Sequence, residues 1–145
     1  LDTLVHTQLA PFIGVEEGRL ATDGPAVVMT PETVQTLGMA LHELATNAAK
    51  YGALSSSGGK ILVNWRFDDD NSAPDTFWLE WREQGGPAVK PSKRKGFGHF
   101  VTDQMVTRGL DARIEADFAP DGLRWTIQMP AEHARGGRGY PDKPE

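Results

Sequence analysis

Three short stretches carry side chains whose types and spacing could do chemistry. The first is "LHELATNAAKYGALS", Leu41 to Ser55. On a helix stepping ~100° per residue, Thr46, Asn47 and Lys50 fall within roughly 60° of Glu43. A carboxylate, a neutral amide and an ammonium thus share one column. The column is either a solvated face laced by pairs at three and four residue spacing, or a row facing a ligand. In the second case Mg²⁺ accepts an amide oxygen while it retains waters and phosphate oxygens. The second stretch is "WREQGGPAV", Trp81 to Val89. Strand alternation puts Phe77, Leu79, Trp81 and Glu83 on one face, so a carboxylate ends an apolar row just before Gly85-Gly86. It reads either as a surface Glu at a turn or as an acceptor for an exocyclic amine, with glycines letting a flat base approach the backbone. Such an acceptor favours adenine over guanine, which presents a carbonyl at that position. The third stretch, "KPSKRKGFGHF", sets Lys93, Arg94 and Lys95 before Gly96-Phe97-Gly98. Glycines at a helix N-terminus expose N–H donors to an anion, and the helix dipole adds to the attraction. A solvated basic loop is the alternative.

The elements that must position these groups follow from patterning. Thr30 caps a long helix with Pro31 at its first position and Glu32 in its first turn. Gly52 lies where a left-handed C′ residue is expected. Val34, Leu37, Leu41, Leu44, Ala45 and Ala48 fall between about 100° and 200° from Glu43, an apolar stripe that must face a sheet. Upstream, Leu1, Leu4, Val5 and Leu9 recur at helical spacing, with Pro11 expected to end that helix. "GRLATDGPAVVMT" holds two short strand candidates around the Asp23-Gly24-Pro25 turn signal. Four further runs alternate: Ile61 to Phe67, Phe77 to Trp81, Ala112 to Phe118, and Leu123 to Met129. "DDDNSAPD" and "APDG" supply hairpin turns. Phe97, Phe100, Val101 and Met105 give a shorter helix. Helices that all cover one face of a mixed, mainly antiparallel sheet make a two-layer α/β sandwich, an α+β fold.

With 145 residues, the chain is long enough for one domain with its own core. A net charge of −5 argues against a nucleic-acid surface, which needs a concentrated basic face. No apolar run approaches ~18 residues, so direct membrane contact through a span is not expected. The absence of cysteine removes disulfides and thiolate metal sites, and agrees with a cytoplasmic home. Both ends read as cut from a longer protein. Residues 1–134 are expected to form the domain, and the Gly-, Pro- and charge-rich 135–145 a disordered tail.

A helix with E-L-x-x-N, a strand with an acidic residue before G-G, and G-F-G opening a helix occur in that order. The chain in this resembles the ATP-binding domain of the histidine kinase and gyrase-type ATPase superfamily, the Bergerat fold. His42 in "HELATNAAKYGALS" and Trp81-x-Glu83 in "WREQGGP" make it similar to the HWE family of sensor histidine kinases. The resemblance spans roughly Leu1 to Pro130 and implies ATP and Mg²⁺ as cofactors. It places Asn47 on the Mg²⁺, with Glu43 beside it as a metal-water or proton-handling partner. His42 belongs to the same box, and Lys50 and Tyr51 line the phosphate and ribose side. Glu83 stands where most histidine kinases have Asp and accepts the adenine amine, with Gly85 and Gly86 continuing that box. Gly96, Phe97 and Gly98 match a second glycine box, and Arg94 and Lys95 belong to a short lid over the nucleotide.

The resemblance also implies partners: a dimerisation domain with the phosphoacceptor histidine, absent from this chain, and a response regulator receiver domain. The chain's own His6, His42, His99 and His133 read as structural or exposed. Two rival readings remain: a hydrolytic ATPase of the same fold with Glu43 activating water, and a degenerate module that binds partners and no nucleotide.

Overall fold

The computed structural model describes residues 1–13, 18–68, 75–87 and 104–135. Among these, helix α1 (Asp2–Ile13) is followed by strand β1 (Leu20–Asp23) and helix α2 (Pro31–Tyr51). Strands β2 (Lys60–Asp68), β3 (Thr76–Gln84), β4 (Arg113–Ala119) and β5 (Gly122–Pro130) complete a five-stranded sheet of order β1-β2-β3-β5-β4. β1 runs parallel to β2, and every other pairing is antiparallel. The expected mixed, mainly antiparallel sheet covered by helices is what forms.

Its core is built from the alternation seen in the sequence. Trp81 pairs with Trp125, Leu79 with Ile127 and Phe77 with Met129 across β3 and β5, and all six are buried. Ile61, Val63 and Trp65 extend that face onto β2, and Leu37, Leu41, Leu44, Ala45 and Ala48 of α2 cover it. Val5 and Leu9 bring α1 into the same cluster. On the outer face, the Arg66 guanidinium lies 4.0 Å over the Trp78 ring, and Arg124 pairs with the nearly buried Glu80 at 2.7 Å.

Local signals set α2. The Thr30 hydroxyl accepts from the Thr33 N–H at 3.3 Å, Pro31 starts the helix, and 21 residues follow. Several expectations are corrected. Gly52 has φ −114°, not a left-handed value, because the chain runs directly into a tight 3₁₀ turn, Ala53–Ser55, and needs no reversal. Pro11 lies inside α1, whose last residues, Phe12 and Ile13, pack against the core and hold the final turn despite the proline. Val34, assigned to the buried stripe, is 41% exposed and lines a groove beside Leu4 and Gln8 instead of facing the sheet. The second strand candidate of the 18–30 segment is reduced to a single bridge, Val28 to Arg135.

Residues 104–109 are helical, with Val106 buried and Met105 42% exposed; Phe97, Phe100 and Val101 of that expected helix lie outside the described residues. Ala116, expected on the inner face of β4, is exposed, while Ile114 and Phe118 are half-buried at this edge of the sheet. Arg135, placed by the sequence in the tail, is tied to the domain: it pairs with Asp75 and sits 4.6 Å over the Phe67 ring. Residues 136–145 lie outside the described part.

Candidate nucleotide-binding site

Glu83 is the next-to-last residue of β3 and, at 2% exposure, one of three buried polar or charged side chains among the described residues. Its burial follows from alternation, which carries it on the same inward face as Trp81. Both carboxylate oxygens accept protein donors. Oε1 takes the Ala53 backbone N–H at 3.0 Å, and Oε2 takes the Trp81 indole N–H at 3.1 Å. The Trp-x-Glu spacing is thereby explained: residues two apart on a strand share a face, and the indole fixes the carboxylate plane.

The bond to Ala53 joins two distant parts of the sequence. Ala53 lies two residues beyond the end of α2, so the tip of β3 and the C-terminal end of α2 meet at one corner. The two glycines after Glu83 bring the chain close to it. Gly85 has φ 74°, which favours glycine, and a Cβ there would lie 2.8 Å from the Gly58 carbonyl oxygen. A Cβ at Gly86 would lie 2.6 Å from Ala53 Cα. The sequence assigned these glycines to the approach of a base; the space a side chain would need is filled by the protein's own backbone. Their absent side chains set the packing of loop on loop.

Along α2, Glu43 and Asn47 are half-buried, Lys50 is exposed, and Tyr51 is 43% exposed. No side-chain hydrogen bond or ion pair joins Glu43, Asn47 and Lys50 to one another among the described residues. Thr46, in the same column, is satisfied locally by the His42 carbonyl at 2.9 Å. The exposed His42 ring is 6.1 Å from the Phe12 ring at an interplanar angle of 55°. With Glu43 it lines a groove of about 500 Å³ between α1 and α2, whose other walls include Leu4, Val34 and Met39. Thus His42 contacts α1. Arg94, Lys95, Gly96, Phe97 and Gly98 lie outside the described residues.

Among the described residues no three His, Cys, Asp or Glu side chains cluster as metal ligands. Asn47 offers a single neutral oxygen donor, so a Mg²⁺ ion there would take its remaining ligands from water and phosphate.

One member of the corner was missed by sequence reading. The Arg19 guanidinium, ahead of β1, donates to the carbonyls of Gly59 at 3.0 Å, Ala53 at 3.3 Å and Ser56. A single Arg in "EEGRLATD" carries no pattern that would have singled it out.

The chain is similar to known histidine kinases. Over 133 residues the chain is 40% identical to blue-light-activated histidine kinase 1 of Erythrobacter litoralis, and over 130 residues 38% identical to a blue-light-activated histidine kinase of Brucella anthropi. Both alignments take in 90% of the chain. The chain is homologous to histidine kinases. It spans about a third of the first relative's length and about a quarter of the second's, 35% and 26%. The histidine kinase domain of the Erythrobacter litoralis EL346 protein superposes with a TM-score of 0.60 at 16% identity, over 90% of this chain and 67% of that one. The mycobacterial sensor histidine kinase MprB superposes with a TM-score of 0.59 at 22% identity, over 89% of this chain and 93% of that one. The fold is therefore that of the histidine kinase catalytic domain. No protein-family model matches the chain. No helix among the described residues is long and apolar enough to cross a membrane.

Proposed function

We propose that this chain is the catalytic ATP-binding domain of a sensor histidine kinase, holding Mg·ATP at the corner where α2 meets the tip of β3. The observation that supports the proposal is the hydrogen bond from Ala53 to Glu83, which ties the buried acceptor at the tip of β3 to the turn that leaves α2. The homologous proteins, named as histidine kinases, support the reaction class.

In this reading Glu83 is the acceptor for the adenine amine; because it is 2% exposed and both its oxygens accept protein donors, the base reaches it only by opening part of that enclosure. Trp81 and Ala53 fix the plane of its carboxylate. Asn47 would give an amide oxygen to Mg²⁺, Glu43 would stand beside it to hold a metal-bound water, and Lys50 and Tyr51 would line the phosphate and ribose side. Bound Mg²⁺ would supply neutralisation of the charge on the β- and γ-phosphates. The chain's own contribution is placement, from which much of the catalysis of phosphoryl transfer comes. The γ-phosphoryl group passes to a histidine on a separate dimerisation domain, leaving ADP, and from there to a response regulator aspartate.

Calorimetric titration of the 145-residue chain with Mg·ATP tests the binding half. Saturable binding is expected, weakened at least about tenfold by Asn47→Ala, with the Mg²⁺ dependence lost. Equal affinity in the presence of a chelator, or in both Asn47→Ala and Glu83→Ala, would refute the assignment.

A further inference from the structure

We infer that Arg19 is a positioning residue for base recognition, acting on Glu83 through the backbone on either side of Ala53; the inference rests on the site proposed above. Ala53 is held from both sides. Its N–H donates to Glu83 Oε1 at 3.0 Å, and its carbonyl accepts from the Arg19 guanidinium at 3.3 Å. The same guanidinium takes the Ser56 carbonyl and, through Nε, the Gly59 carbonyl at 3.0 Å. One side chain thus gathers three carbonyls of the loop that leaves α2. The loop folds back so tightly that a Cβ on Gly59 would lie 1.7 Å from the Ala53 carbonyl oxygen.

The chemistry calls for arginine. Its planar fork of five N–H donors can serve several carbonyls at fixed angles, whereas a lysine ammonium is a point charge on a flexible stem. Arg19 is itself anchored, because its backbone carbonyl accepts from the Ile61 N–H at 2.8 Å as β2 begins. The guanidinium fixes the Ala53–Leu54 peptide, and the adjoining Gly52–Ala53 peptide, whose N–H holds Glu83 Oε1, is restrained through the Ala53 Cα they share. Loosening Arg19 lets the Ala53 N–H turn away, and Glu83 loses the restraint that aims it at a base amine.

Two measurements separate this role from general bracing of the fold. The first is amide hydrogen exchange in the chain without nucleotide, comparing the Ala53 amide with that of Leu79 in the middle of β3. Arg19→Lys and Arg19→Gln are expected to speed exchange at Ala53 by about tenfold or more while Leu79 is unchanged. The second is the ratio of affinities for ATP and inosine triphosphate, whose base carries a carbonyl in place of the amine. Wild type is expected to favour ATP by about tenfold or more. Arg19→Gln, assayed below its melting temperature, should lose most of that preference, and Arg19→Lys part of it.

Folded Arg19 variants that keep the wild-type ratio, or whose Ala53 amide exchanges no faster relative to Leu79, overturn the inference and leave the site standing. A wild-type chain that does not distinguish the two nucleotides, with Glu83→Gln behaving identically, overturns the site and the inference together.

Discussion

Replacing Glu83 by Gln tests the corner through stability before any nucleotide is added. The side chain keeps its length, but an amide offers one oxygen and one NH₂ where the structure requires two acceptors. Either the Ala53 N–H, at 3.0 Å, or the Trp81 indole N–H, at 3.1 Å, must then face a donor. Glu83 is 2% exposed, so water cannot substitute. A hydrogen bond to a charged group contributes about 1.5–3 kcal/mol, and a buried donor left unsatisfied costs a similar amount. The expected loss is therefore about 2 kcal/mol, and at roughly 4 °C per kcal/mol for a domain of this size the melting temperature should fall by about 8 °C. Scanning calorimetry or urea denaturation followed by circular dichroism reads this directly. Glu115→Gln, at an exposed position of β4, is the control and should stay within about 0.5 kcal/mol of wild type. If Glu83→Gln melts within about 2 °C of wild type, the shared-acceptor account of this carboxylate is wrong.

Trp81→Phe should lose about 1–3 kcal/mol, through the missing indole donor and incomplete filling of its site, and the double variant with Glu83→Gln should lose less than the sum of the two. Gly86→Ala must push its new methyl away from Ala53 Cα, 2.6 Å distant, and is expected to cost about 1–3 kcal/mol in urea denaturation. Val34→Thr should be nearly silent, within about 0.5 kcal/mol, because Val34 is 41% exposed, whereas Leu37→Ala one turn on should cost about 2–5 kcal/mol.

Much of the fold was legible because burial imposes period. The alternation from Phe77 to Glu83 placed the carboxylate on the inner face, and the Thr30-Pro31-Glu32 signal located the start of α2. Expectations failed where tertiary contacts outvoted a local rule. Pro11 was read as a stop, yet Phe12 and Ile13 pack against the core and hold the last turn. Gly52 was read as a left-handed cap, yet the next residue is tied to Glu83 and the chain goes forward. At the site, residue types were visible but partnerships were not. The Trp81 indole was a family signature until its N–H was seen on Glu83, and the double glycine, matched to a base by the sequence, meets Ala53. Arg19 was invisible because three carbonyl contacts across 34 to 40 residues leave no periodic trace.

The most direct measurement is a crystal structure of the chain with Mg²⁺ and a non-hydrolysable ATP analogue. The adenine amine should lie about 3 Å from a Glu83 carboxylate oxygen, and the cation about 2.1 Å from the Asn47 amide oxygen. A nucleotide bound away from the corner, with Glu83 still enclosed by Trp81 and Ala53 and touching no base, would contradict the account.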